Sequence, residues 1–316
     1  MSTVKALQNE TDHQAAATRR SSQSGGQIRP QRVLRRTIKR AKVGSVAWHV
    51  FCLALLAVLL YPVLWLIGSS FKPGTEILTN MGITPNQFTL SNYTEVFTGV
   101  GGLSFWSMLG NSLVISTLAV VGNVVSCTLA AYAFARLRFK LRRPFFAFML
   151  LTIMLPMHVV LIPQFIIFQQ MGFVGTIVPL VLPKFLATEA FFIFLIVQFI
   201  KGIPRELDEA ATIDGCGPYR TFAHVLLPLL SPALITTTIF SFIWSWDDFF
   251  SQLIYLNKPE TYTLQLGLRL FVDQTSASSF GPMFAMSVLA ILPVVIFFAV
   301  FQRYLVEGVA TSGLKG

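Results

Sequence analysis

The sequence predicts an all-α integral membrane protein with six transmembrane helices, and three observations carry that prediction. Only 12% of the 316 residues are charged and 54% are hydrophobic, where soluble domains carry about 25% charge. Six stretches supply the roughly 20 apolar residues that a helix needs to cross a bilayer core. Lys and Arg fall almost entirely into alternate connections between those stretches.

Residues 1–42 stand apart from the rest. They hold 10 of the 24 Lys and Arg, among them Arg19-Arg20, Arg35-Arg36 and Lys39-Arg40, with Ser, Gln and Gly between. Such a segment buries no core and is read as a basic, disordered tail. It is too long for the basic region of a secretory signal, and no apolar core follows Arg19-Arg20 as a twin-arginine signal requires.

The remainder, 43–316, is read as one membrane domain. Its spans are placed at about 46–68, 111–135, 144–168, 177–200, 226–246 and 283–301. Pro156, Pro163, Pro179, Pro183 and Pro293 fall in or near them, and neighbouring helices in a bundle re-satisfy the backbone groups that proline frees. Lys184 and Glu189 interrupt the fourth span. With the N-terminus inside, the tail and segments 136–143, 201–225 and 302–316 hold 20 basic residues, and the opposite segments 69–110, 169–176 and 247–282 hold 3. Lys and Arg are retained on the cytoplasmic side, so both termini are expected there. The densest short run, Arg136 to Arg143, is a membrane anchor that also meets anionic lipid. The net charge of +10 is therefore read as topology, and no nucleic-acid partner is expected.

Several functions are excluded. Cys52, Cys127 and Cys216 match no metal or redox spacing, and His13, His49, His158 and His224 show no ligand spacing. No metal and no cofactor are expected. The phosphate-loop pattern G-x-x-x-x-G-K-[ST] is absent, so the chain is not itself an ATPase. No nucleophile–base pair stands out, and the chain is read as a non-enzyme without catalytic residues.

Segment 201–218 has the grammar of a short surface helix. Pro204 suits a first turn, and Glu206, Asp208 and Glu209 suit a helix N-terminus. Leu207, Ala210 and Ala211 form a small apolar stripe. Gly215 stands where a helix stops in the left-handed region, and Gly217-Pro218 turns the chain toward a second helical stretch near Tyr219. From periodicity alone this is an interfacial linker or a docking helix.

Glu209-Ala-Ala-Thr-Ile-Asp-Gly215, followed by Phe222 and Leu227-Pro-Leu229, resembles the cytoplasmic loop of ABC importer permeases, in the form used by the carbohydrate-uptake, maltose-type branch. Leu90-Ser-Asn-Tyr93, Asn111-Ser112, Ala130-Ala-Tyr-Ala-Phe-Ala-Arg-Leu-Arg-Phe139, Trp244-Ser-Trp-Asp-Asp-Phe249, Tyr262-Thr-Leu264 and the end from Phe301-Gln-Arg-Tyr304 to Lys315-Gly316 are similar to the same branch. The likeness runs from about residue 60 onward. Cys216 departs from the usual Ala, and Gln265 from a frequent Pro.

The resemblance implies a six-helix ABC importer permease fold with a short cytoplasmic coupling helix, in a bacterial or archaeal plasma membrane. Its implied partners are a second homologous permease subunit, a cytoplasmic ABC ATPase dimer and an extracytoplasmic solute-binding protein. It assigns Glu209 to an ion pair with the ATPase, Ala210 and Ala211 with Leu207 to the packed face, Asp214 to the turn and Gly215 to the reversal. The implied solute is a sugar or a sugar-like molecule. A phosphorylated polyol such as glycerol phosphate stays open. So does a different class, an ion-coupled secondary transporter working through Glu189 and Lys184 with Asp247 and Asp248. A membrane-embedded enzyme would need more than His158. Candidates for the solute pathway are Glu189, Trp244, Trp246, Asp247 and Asp248. Lys184 and Glu189, five residues apart, would point about 140° apart in a straight helix, unless Pro183 breaks it.

Overall fold

The computed structural model describes residues 31–273 and 280–313, with side chains from 46 to 271 and from 280 to 304. Residues 1–30 of the expected tail lie outside the described residues. The chain divides into two compact units, 1–62 and 63–316. In the first, 31–62 is helical, and its side chains from Val46 onward are apolar for the most part and exposed, as a lipid-facing helix requires.

The described residues are helical apart from short connections, with one isolated bridge between Val100 and Leu103. The main helices are α1 (Gln31–Ser70), α2 (Ser91–Thr98), α3 (Phe105–Arg136), α4 (Arg142–Ile153), α5 (Met157–Gln170), α6 (Val178–Phe185), α7 (Ala190–Gly202), α8 (Glu206–Ile213), α9 (Ser231–Asp247), α10 (Phe249–Tyr255), α11 (Leu264–Asp273) and α12 (Phe280–Gly313).

Among the described residues, four stretches are long and apolar enough to cross a bilayer: Val46–Ser70, Phe105–Arg136, Val178–Gly202 and Phe280–Tyr304. Two bent pairs bring the number to six if each pair is one span. The third span, expected as one helix over 144–168, is α4 and α5 meeting at 104°. Pro156 stands at the break as the residue before α5, where its lack of an N–H ends α4. The fifth is also bent, by 74° between Pro218–Leu229 and Ser231–Asp247. Within the first of these, Phe222–Leu226 winds as a wider π-helical turn.

α3 is the hub of the second unit, packing along α6, α7 and α9. Cys127, Ala131, Ile193, Ile196, Leu226 and Ala233 form a buried cluster where these helices meet. Small residues let the backbones close in. A Cβ added at Gly122 would meet the Phe185 ring at 2.8 Å and the Lys184 carbonyl carbon at 3.0 Å.

Short polar staples hold the connections. Asn92 Nδ2 donates to the carbonyls of Ser70 and Lys72, both at 2.8 Å. Lys72 is fully buried and donates to the carbonyls of Asn80 and Gly82. Asn111 Nδ2 donates to the Glu260 and Tyr262 carbonyls at 2.9 Å, and the Leu264 N–H donates to Ser112 Oγ at 2.9 Å. The backbone N–H of Asn86, then the Asn80 amide and the Gln87 N–H, hold the Glu76 carboxyl below its ordinary range.

Candidate functional site

The first candidate is α8, built where the sequence places its helix signals. Arg205 is its N-cap, one residue beyond Pro204, and Glu206, Asp208 and Glu209 fill the first turn, opposite in charge to the helix N-terminus. The C-terminal end is a Schellman motif. The Cys216 N–H donates to the Ala211 carbonyl at 2.9 Å and the Gly215 N–H to the Thr212 carbonyl at 3.0 Å. Gly215 takes φ +81°, the left-handed position that this motif needs.

α8 is latched to the end of α3 at three points. Arg136 Nε lies 2.7 Å from Asp208 Oδ2, with the arginine side chain 8% exposed. Arg136 Nη2 donates to the Ile203 carbonyl at 2.8 Å, before α8. Tyr132 Oη donates to the Pro218 carbonyl at 2.9 Å, after it, and the Tyr132 and Phe222 rings lie 4.8 Å apart. The second span therefore grips the chain before, within and after α8.

The exposed face of α8 differs from the expected stripe. Ala211 is buried, because α8 packs that side against the chain's own Pro218–Leu226 segment. Leu207, Glu209, Ala210 and Asp214 are exposed. They are joined by two apolar side chains that sequence reasoning missed, Ile213 and Tyr219, each 87% exposed. Ile213 lies three residues beyond Ala210, so the signal was present in the spacing 207, 210, 213. Tyr132 was visible only as a letter of a resemblance, and Arg136 otherwise only as the first charge of the basic run 136–143.

The second candidate is the break in the fourth span. α6 ends at Phe185 and α7 begins at Ala190. Pro183 shortens the helix, Thr188 Oγ1 donates to the Pro183 carbonyl at 2.9 Å, and Ala187 adopts φ +54°. That conformation costs a residue with a Cβ about 1–2 kcal/mol. The break turns Lys184 and Glu189 toward one another, and Lys184 Nζ pairs with Glu189 Oε1. The 140° separation of a straight helix does not apply.

The Trp244–Asp248 run is divided in use. Trp246 is 2% exposed, donates Nε1–H to the Ala290 carbonyl at 3.0 Å and stacks on Phe242. It packs in the core of this chain, whereas the solute-pathway expectation places it facing the solute. Asp248 caps α10, accepting the Ser251 N–H at 3.0 Å. Asp247 is exposed. Trp244 is 45% exposed and stacks on Phe192 at 5.0 Å, with Phe191 at 5.4 Å. Among the described residues, no three of His, Cys, Asp and Glu gather as a metal site would require.

A bundle of apolar helices with a short, exposed helix latched to its second span has the build of a membrane transport subunit. The chain belongs to the family of binding-protein-dependent transport system inner membrane components, which its residues 122–311 match. It is 36% identical over 260 residues to the arabinooligosaccharides transport system permease protein AraQ of Halalkalibacterium halodurans, covering 81% of this chain and 91% of that one. It is 31% identical to the sn-glycerol-3-phosphate transport system permease protein UgpE of Rhizobium meliloti, covering 87% and 99%. In fold it resembles a chain of a bacterial ABC transporter involved in the import of the acidic polysaccharide alginate, with a TM-score of 0.74, 24% identity and coverage of 83% and 96%. The chain is thus an ABC importer permease subunit, a member of a family of transport components rather than enzymes.

Proposed function

We propose that this chain forms half of a solute pathway across a bacterial or archaeal plasma membrane, with both termini in the cytoplasm, and that α8 receives the motion of a separate ATPase dimer. The other half is a second, homologous permease subunit, and an extracytoplasmic binding protein delivers the solute. The observation that carries this reading is the pairing of opposites on α8. One face is clamped to the second span through Asp208–Arg136, with Tyr132 holding the chain just beyond at Pro218, and the other presents Leu207, Ala210, Ile213 and nearby Tyr219 to a partner. A helix of 8 residues has no stability of its own, so it moves only with what holds it on each side. A push on the free face passes through Asp208–Arg136 into the second span.

Glu209 keeps its role as the charged contact to the ATPase, Asp214 and Gly215 close the helix end, and Ala211 seats it. The solute is a sugar or sugar-like molecule, supported by the oligosaccharide permease among the relatives. The glycerol-phosphate permease keeps a phosphorylated polyol as the competing solute. The chain, its partner permease, the ATPase and the binding protein are to be reconstituted in proteoliposomes. Uptake of a labelled neutral oligosaccharide and of sn-glycerol 3-phosphate is then measured with and without ATP. ATP-dependent uptake of the oligosaccharide is expected. An assembled complex that carries neither solute on ATP sinks the reading, and uptake of the phosphate alone sinks its sugar part.

A further inference from the structure

The Lys184–Glu189 pair takes no part in the latch at α8, and its depth is informative. It stands at the break inside the span Val178–Gly202. α7 has 13 residues, so the break lies about 20 Å along the helix axis from Gly202. That is well within a hydrocarbon core of about 30 Å. The Lys184 and Glu189 side chains nevertheless keep 28% and 27% of their surface exposed. Ionisable groups at such depth face a bundle interior or a water-filled cavity, not lipid. The backbone of the break is fixed by α3: Ser126 Oγ donates to the Lys184 carbonyl at 2.7 Å and the Cys127 thiol points at the Glu189 carbonyl at 3.8 Å.

An aromatic surface lies one helical turn along α7 from Glu189. Trp244 stacks on Phe192, which is one helical turn beyond Glu189, and stays 45% exposed. A sugar ring packs its C–H face on an aromatic ring, and its hydroxyls both donate and accept. They bond a carboxylate and an ammonium at the same time. The two charges cancel, so the pair exerts no net pull on either sign of solute.

We propose that Lys184, Glu189 and Trp244 form an electrically balanced polar station in the solute pathway, suited to a neutral polyhydroxyl solute and giving no advantage to an anion. This rests on the importer reading above. It favours a neutral oligosaccharide over a phosphorylated polyol, because an anion would be served by Lys184 without its partner carboxylate.

The test uses the assembled importer in proteoliposomes, with Cys52, Cys127 and Cys216 replaced and Trp244→Cys as a reporter. Two water-borne methanethiosulfonates are applied, one carrying a trimethylammonium group and one a sulfonate. With the pair intact, both modify the reporter at similar rates. Adding Glu189→Gln leaves Lys184 unbalanced and favours the sulfonate by about tenfold or more, the scale of focused charge in a cleft. Adding Lys184→Met reverses the preference. A reporter that neither reagent reaches in any nucleotide state overturns the proposal, as does a rate ratio that neither variant moves. Where a single variant fails to assemble, the swap of Lys184→Glu with Glu189→Lys keeps the pair and must keep the rates equal; unequal rates overturn the proposal. Normal ATP-driven uptake by the unaltered importer with an unmoved ratio in the reporter chains sinks the station alone, whereas charge-dependent labelling of the reporter chains with no ATP-driven uptake by the unaltered importer sinks the importer reading alone.

Discussion

Gly215 is where a single residue decides the geometry of the docking element. A Cβ there meets nothing within 4 Å, so the penalty for a side chain comes from φ +81° alone, about 1–2 kcal/mol. Gly215→Val is expected to fray the Schellman end and weaken retention of the ATPase, with membrane insertion unchanged. Gly215→Asn is expected to do less harm, because Asn tolerates the left-handed region. Co-purification of the ATPase with each variant checks this, and equal retention by Val, Asn and Gly sinks the role of the turn. The Arg136–Asp208 pair makes a second residue-scale prediction. The Asp208 side chain keeps 23% of its surface exposed, so removing one partner costs less than the about 3–5 kcal/mol of a fully buried pair. Asp208→Asn and Arg136→Met are each expected to lower ATP-driven uptake, and the double variant to lose less than the two together. Uptake and thermal stability measured around that cycle decide it, since independent sites would add.

At the scale of the element, α8 has two faces with different duties. Ile213 is 87% exposed, so Ile213→Asp leaves the bundle intact. It removes about 1.5–3 kcal/mol of burial on docking, roughly tenfold or more in affinity for the ATPase. Ala211→Leu acts on the other face. It overpacks the seat of α8 against Pro218–Leu226, at a cost of about 1–3 kcal/mol, and is expected to lower the stability of the permease before any partner binds. Titration of detergent-solubilised permease with ATPase, beside its melting temperature, separates the two. Loss of affinity without loss of stability in Ala211→Leu would reverse the assignment of faces. The fourth span argues the same way: its break at 186–189 is an element-level event, driven by Pro183 and fixed by the close approach at Gly122.

For the whole molecule, the charge count and the latch point to one orientation. The basic segments 136–143 and 201–225 are brought to the same end of the bundle by Arg136–Asp208, as a shared cytoplasmic side demands. A single Cys at Thr212, in a chain lacking its own three, is expected to resist an impermeant thiol reagent in intact cells. One at Pro259, in an exposed turn beyond α10, is expected to react. Reaction at position 212 in sealed cells overturns the topology, and with it the role of α8.

The sequence by itself determined the helical class, the six apolar stretches, their charge asymmetry and the short surface helix with its glycine stop. These are local properties: a run of apolar residues, a cap or a left-handed glycine acts on its own few neighbours. It also carried the family resemblance, but not the reason for its letters. Tertiary structure supplied that reason. Asn92, Asn111, Ser112, Tyr132 and Arg136 each bond a group 20 or more residues away, and no window of sequence pairs such partners. The faces of α8 were misread because three-residue and four-residue spacings both suit a helix. Only the seat against Pro218–Leu226 chose Ala211 for the inside and Ile213 for the outside. Likewise Trp244 and Trp246 look equivalent as letters, and the packing of α9 against α7 and α12 turned one outward and sealed the other. Lys184 and Glu189 became a pair because the span breaks after Pro183 and turns at a left-handed Ala187, an outcome set by the close approach of Lys184 and Phe185 to Gly122 of α3 rather than by periodicity.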